Sequence, residues 1–264
     1  MWVRPSRRLK NRGGIPHHLL DVVDPDEEFN AATYRSLALP LVEDIVSREK
    51  VCLVVGGTGL YIKGLLNGLF ECPPADMEFR ESLRREMETC GTVMLYKRLE
   101  NIDPESSGSI HPNDGLRITR ALEIFHLTGR PYSELAREHG FGDTPLSALK
   151  LCLEVDRERL YERINKRSVI MVETGLIEET EELLRKGCSP HLKPMKAIGY
   201  RHIAKYLLGG WSLEEALHNL QRDTRRYAKR QLTWFRADPE YTWIGPEDYD
   251  IALRKITEFI DRTA

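Results

Sequence analysis

Val51-Cys-Leu-Val-Val-Gly-Gly-Thr-Gly-Leu-Tyr-Ile-Lys-Gly-Leu-Leu66 is the stretch around which this chain is organised. Its first five residues are apolar and mostly β-branched, which predicts a short strand buried on both faces. Gly56, Gly57 and Gly59 then break the pattern, and an amphipathic run from Leu60 onward predicts a helix. Strand, glycine turn and helix together aim backbone N–H groups and a helix N-terminus at an anion. Thr58, inside the turn, adds a hydroxyl for a phosphate oxygen. A tight turn that binds nothing has the same pattern, so this stretch alone leaves both readings open.

Outward to the N-terminal side, residues 30–48 read as a helix with Phe29, Tyr34, Leu37, Leu41 and Ile45 towards the core. Ile15 to Val23 reads as a short strand, turned at Asp24-Pro25. His17 and His18 are adjacent, so on a strand they point to opposite faces and cannot clasp one metal together. Residues 1–14 carry Arg4, Arg7, Arg8, Lys10 and Arg12 without an acid, and read as an exposed, mobile arm.

Outward to the C-terminal side, Cys72-Pro-Pro marks a break, and the character changes from there to about residue 143. Short helices are predicted over 76–89, 91–101, 113–128 and 131–139, with no strand among them. Asn113 or Asp114 caps the third. On that helix Ile118, Ala121, Leu122 and Phe125 share a face, with Arg117 and Arg120 off it, open to solvent or phosphate. After the turn-rich Gly142-Asp-Thr-Pro145, residues 149–155 return to strand character. Asp156 caps a helix over 157–173 that Gly175 ends, and a second helix covers 176–186. Lys196 to Arg201 turns into another helix, broken at Gly209-Gly210. Ser212 and Glu215 form a capping box that opens a long helix to about Arg236. Thr242 to Ile244 is a last short strand and 247–262 a closing helix.

The long helix carries a charge pattern. At 100° per residue Arg222, Arg226, Lys229, Thr233 and Arg236 fall in a narrow arc, with Arg225 and Arg230 at its edges. Leu217, Leu220, Tyr227, Ala228, Trp234 and Phe235 fall opposite. Residues 222–236 hold six Arg or Lys against one Asp, a pattern suited to phosphate. Ordinary solvated surface is the competing reading of any one charge run.

The whole chain sets broader bounds. Its 264 residues, 41% hydrophobic and 30% charged with a net charge of −2, describe a globular protein able to bury a core. No apolar run approaches a membrane span, and the N-terminus has no apolar signal-peptide region. Five cysteines, widely spaced and without a C-x-x-C pair, argue against zinc and a disulfide framework and fit a reducing cytoplasm.

Several of these groups match one family in its order. They are Pro16-His-His-Leu-Leu-Asp21, Gly56-Gly-Thr-Gly-Leu-Tyr61, His111-Pro-Asn-Asp114 with Arg117 and Arg120, Ile198-Gly-Tyr-Arg201, and Thr224 to Arg236. On them the chain resembles the tRNA dimethylallyltransferases, also called tRNA isopentenyltransferases. The resemblance implies an α/β fold: a P-loop-kinase-like parallel sheet with flanking helices and an all-α insertion that grips the anticodon stem-loop. The implied divisions are 1–71 and 143–264 for the core and 72–142 for the insertion. The implied reaction moves a dimethylallyl group from dimethylallyl diphosphate to N6 of the adenosine beside the anticodon, with Mg²⁺ neutralising the diphosphate. The implied setting is a cytoplasmic monomer with no membrane partner.

By the same resemblance Thr58 is catalytic, bonding the diphosphate near its leaving oxygen, with Gly56, Gly57, Gly59 and Arg225 also on the diphosphate. The tRNA falls to Arg80, Leu116, Arg117, Ile118, Thr119 and Arg120, to Lys196, Gly199, Tyr200 and Arg201, and to Arg226, Lys229, Arg230, Gln231, Thr233, Trp234 and Arg236. No residue is assigned to a metal. One departure stands out. The family pattern opens with a strand, a Gly-x-x-x-x-Gly-Lys-Thr loop and an Asp general base, and Met1-Trp-Val-Arg-Pro5 joins it after those elements. The expectation is a chain that binds RNA better than it transfers anything. Two other readings stay open: a non-catalytic tRNA-binding remnant, and an adenylate isopentenyltransferase, against which the large helical insertion argues.

Overall fold

The computed structural model describes residues 13–69, 73–140 and 146–263. Residues 1–12 of the expected arm over 1–14, Cys72, and the joint at 142–145 lie outside them. The chain divides into two compact units, Met1–Ile62 with Ser147–Ala264, and Lys63–Leu146. The described residues are mainly helical, with a small parallel sheet.

The Lys63–Leu146 unit is helical. It contains α3 (Met77–Cys90), α4 (Thr92–Ile102), α5 (Pro104–Ser109), α6 (Gly115–Thr128) and α7 (Tyr132–His139). Leu83, Leu95, Leu99, Ile118 and Leu122 form its core, with Phe79, Met87 and Tyr132 against it. Each fully buried Leu or Ile contributes about 1.5–3 kcal/mol, which outweighs the weak propensity of such short helices. The helix starts are set locally. Asp76 accepts from Phe79 N at 2.9 Å and Asp114 from Arg117 N at 3.2 Å. Asp103 caps α5 through Ser106 N at 3.0 Å and also accepts from Ser133 N at 3.0 Å and Ser133 Oγ at 2.6 Å. One buried carboxylate thus fastens the starts of two helices. Sequence periodicity does not reveal α5, whose Ser- and Gly-rich turn lacks an apolar stripe.

The other unit opens with α1 (Ala31–Ser47), capped by Asn30, and the start of α2 (Gly59–Asn67). After β1 (Leu151–Leu153) come α8 (Arg157–Met171), α9 (Ile177–Arg185), α10 (Tyr200–Leu207) and α11 (Leu213–Arg236). β2 (Thr242–Ile244) and α12 (Tyr249–Thr263) close the chain. β1 and β2 pair in parallel, with Leu151 opposite Thr242 and Leu153 opposite Ile244. Met195, Tyr200, Ile203 and Leu220 form the core among α9, α10 and α11. The capping box on α11 is present, Glu215 N donating to Ser212 Oγ and Ser212 N to Glu215 Oε2.

Three expectations need correction. Val51 to Val55 is not a strand buried on both faces: it is unpaired, and Val55 is 93% exposed. Ile15 to Val23 is also unpaired, with Leu19 and Asp21 at positive φ. A strand exists only through a partner edge, and among the described residues only β1 and β2 supply edges to each other. Leu37 is exposed, because the buried line on α1 runs through Ala38 instead.

Candidate nucleic-acid interface

The glycine turn is built against α11. The Thr58 carbonyl accepts from Tyr61 N at 2.9 Å and Ile62 N at 3.2 Å, so the helix begins here. The amides of Gly59 and Leu60 therefore lie at its N-terminus, where no intrahelical acceptor exists. Thr58 itself is exposed. Tyr61 stacks on Tyr34 of α1 at 5.1 Å between ring centroids, which fixes the direction of α2.

Across the turn, Gln231 Nε2 donates to the Gly57 carbonyl at 2.8 Å. A Cβ on Gly57 would strike that Gln231 amide, and one on Gly59 would enter the Trp234 indole, 2.6 Å from its Cε2. Gly59 is required by the close approach of its backbone to the rigid Trp234 ring, whereas at Gly57 the flexible end of Gln231 would have to move. Trp234 and Tyr227 were placed on the core side by periodicity; both are exposed. Trp234 stands against the turn instead. The sequence run around Gly57 and the run around Gln231 thus make one surface.

The outer face of α11 carries Arg226, Lys229, Arg230, Thr233 and Arg236, all exposed. Arg236 Nη2 donates to Glu154 at 3.3 Å, and its guanidinium lies over Trp243. Arg225 points elsewhere: its Nη1 donates to Asn165 Oδ1 at 2.6 Å, and it lies over the Tyr161 ring.

In the turn before α10, Lys196 and Arg201 are exposed whereas Gly199 and Tyr200 are buried. Gly199 takes φ 107, a left-handed conformation that a side chain would strain. Tyr200 OH donates to Glu179 at 2.5 Å, and burial together with that carboxylate pushes the phenol well above its ordinary range. These two residues shape the turn; Lys196 and Arg201 present charge.

Arg201 Nη2 reaches Asp223 Oδ2 at 2.5 Å. The same carboxylate takes Arg222 Nε at 3.0 Å and His202 Nε2 at 3.2 Å, with Arg226 Nη1 at 3.7 Å. Burial alone would raise the Asp223 carboxyl, but hydrogen bonds from Arg222, His202 and Arg201 outweigh it and hold it well below the usual range. Burial lowers the His202 imidazole below its ordinary value, against the opposing pull of Asp223.

The helical unit holds a second basic group. Arg80 Nε and Nη2 fork onto Glu123 at 2.7 and 2.9 Å, and Arg120 Nη1 adds a bond of 2.5 Å. Glu123 is fully buried, while the Arg80 and Arg120 side chains are 37% and 34% exposed. Burial raises the Glu123 carboxyl, and the two arginines overcome this and hold it below its ordinary value. Arg120 is therefore ion-paired to Glu123 while still about one-third exposed. Ile118 lies in the core and has no side-chain atom to offer a ligand. Leu116 and Arg117 are exposed, and Thr119 is half-buried.

Sequence reasoning missed Glu123, Asp223, His202 and Asn165. For Asp223 a signal existed, a lone acid inside a basic run. For Glu123 the local signal was Arg120 three residues before it, while Arg80 lies 43 positions away. Among the described residues no group of three or more His, Cys, Asp or Glu could hold a metal ion. No helix among the described residues is long and apolar enough to cross a membrane.

Fold and site define a mainly helical protein with a glycine turn opening α2 against α11 and exposed arginines in both units. The chain belongs to the IPP transferase family, whose pattern it matches over residues 6–238. It is 48% identical over 257 residues to tRNA dimethylallyltransferase 2 of Geotalea uraniireducens (strain Rf4), covering 97% of this chain and 82% of that protein. It is 49% identical over 253 residues to the tRNA dimethylallyltransferase of Syntrophobacter fumaroxidans, covering 96% of this chain and 74% of the relative. The crystal structure of the full-length tRNA isopentenylpyrophosphate transferase from Bacillus halodurans superimposes with a TM-score of 0.66. Sequence identity there is 37%, over 96% of this chain and 81% of that one. A eukaryotic dimethylallyltransferase acting on tRNA gives a TM-score of 0.67 at 29% identity, over 87% of this chain and 58% of that one.

Proposed function

We propose that this chain acts in tRNA prenylation, moving a dimethylallyl group from dimethylallyl diphosphate to N6 of the adenosine beside the anticodon. The C–O bond to the diphosphate breaks, the leaving group takes the electron pair, an N6–C bond forms and an N6 proton is released. The observation that carries the reading is the packing of Gln231 and Trp234 on the Gly57–Gly59 turn. It sets amides at a helix start beside the basic end of α11.

In this reading the α2 N-terminus and the Thr58 hydroxyl stabilise charge on the departing diphosphate. Lys196, Arg201, Arg226, Lys229, Arg230 and Arg236 hold the RNA backbone. Residues 72–142 form the insertion that grips the anticodon stem-loop, where Arg80, Arg117 and Arg120 supply charge. Arg225 stays a diphosphate ligand only by turning from Asn165. The architecture is P-loop-kinase-like and the chain works as a monomer, with Mg²⁺ on the diphosphate.

The test pairs two measurements. The purified protein is incubated with dimethylallyl diphosphate, Mg²⁺ and unmodified tRNA. Binding of an anticodon stem-loop is measured beside it across salt. Expected are salt-steep binding and prenyl-adenosine. No product, with binding intact, would leave an RNA-binding protein in place of a transferase. No binding would defeat the reading altogether.

A further inference from the structure

Asp223 is the one acid in the basic run of α11, and four side chains converge on it. Oδ2 takes Arg201 and His202; Oδ1 takes Arg222 and faces Arg226. The carboxylate is 16% exposed, while the arginines stand outward at 43%, 40% and 66%. The partners come from two helices, α10 and α11. Beneath them His202 is fully buried and stacks near Trp211, its ring centroid 6.2 Å away. An isolated surface ion pair contributes little and holds no geometry. This hub differs, because one shielded carboxylate hydrogen-bonds two guanidiniums and lies 3.7 Å from a third. Arginine carries five N–H donors, so N–H groups remain on each for a second anion.

We infer that Asp223 is a positioning residue, holding Arg201, Arg222 and Arg226 as a preformed fork for the phosphate backbone of RNA. The inference rests on the proposed tRNA reading and adds to it the residue that organises the contact. The chemical logic is preorganisation. A free arginine loses much rotamer freedom on binding phosphate, and a fork already held loses less.

The test sets two forces against each other. If Asp223 is only counter-charge, Asp223→Asn makes the face more positive, so an anticodon stem-loop binds tighter with a steeper salt slope. If Asp223 positions the fork, Asp223→Asn weakens binding despite the added positive charge, by about tenfold. The second arm repeats Asp223→Asn in an Arg201→Ala/Arg222→Ala background, where two of the positioned groups are gone. There the substitution is expected to change affinity less than twofold.

Tighter or unchanged binding by Asp223→Asn overturns the inference. So does an equal loss in both backgrounds, which marks a general effect on folding. Absence of stem-loop binding by the unaltered chain overturns the tRNA reading and this inference together. Binding by the unaltered chain with no loss in Asp223→Asn overturns the positioning role alone.

Discussion

Replacing Glu123 by Ala removes the acceptor at the centre of the helical unit, and its cost can be worked from the contacts. Oε1 accepts from Arg80 Nε and from Asp76 N at 3.0 Å; Oε2 accepts from Arg80 Nη2 and Arg120 Nη1. Removing one member of a buried ion pair costs about 3–5 kcal/mol, chiefly because the survivor is left buried and unpaired. Here the survivors are about one-third exposed and can turn to water. The expected cost is therefore lower, about 2–4 kcal/mol. The Asp76 amide, at the start of α3, loses its acceptor as well.

Hydrogen exchange read by mass spectrometry suits this test, because it reports opening segment by segment. Peptides from α3 and α6 should lose protection by roughly 30- to 700-fold, the same free energy expressed as a ratio. Peptides from α10 and α11 should be unchanged. Replacing Arg80, Arg120 and Glu123 together by apolar residues of similar volume should restore much of the protection. A loss below about threefold in α3 and α6 for Glu123→Ala would refute the reasoning, reducing the cluster to an ordinary surface bridge.

Gly59→Ala should destabilise the α2–α11 junction by about 1–3 kcal/mol, since the new methyl must displace the Trp234 indole; Trp234 fluorescence should shift, and an unshifted spectrum with wild-type stability would contradict the packing described. Acid should weaken the helical unit selectively. Asp103 and Glu123 both have carboxyls held below their ordinary values in the fold. Their stabilisation is thus complete above the unfolded-state values near pH 4 and is lost as pH falls through the lower folded ones. Protection of α3 to α7 compared at pH 6 and pH 3 checks this, and Glu123→Gln should flatten part of the dependence.

What the sequence reveals follows from how local each feature is. The starts of α3, α6, α8 and α11 are written in Asp76, Asp114, Asp156 and the Ser212–Glu215 pair, whose bonds close within three residues. The short strands at Leu151–Leu153 and Thr242–Ile244 also read correctly, flanked by clear turns. Val51 to Val55 has equal strand character and no partner among the described residues, a fact that its own residues do not carry. The candidate site divides in the same way. The cation stripe of α11 follows from helical geometry alone, whereas the turning of Trp234 onto Gly59, of Arg225 onto Asn165 and of Arg80 onto Glu123 depends on neighbours brought in by the fold.

The bond between Gln231 and Gly57 spans 174 positions, with the whole Lys63–Leu146 unit between them. That inner unit is built from helices adjacent in sequence, the kind of topology that forms fast. During synthesis it can fold while α11 has not yet been made. Once compact, it shortens the chain that must be closed to bring α11 back to the glycine turn, and with it the entropy of that closure. The packing of α11 on the glycine turn is then among the last features to take shape. A nascent chain halted before α11 would carry a finished helical unit and a glycine turn lacking the Gln231 and Trp234 that define its surface.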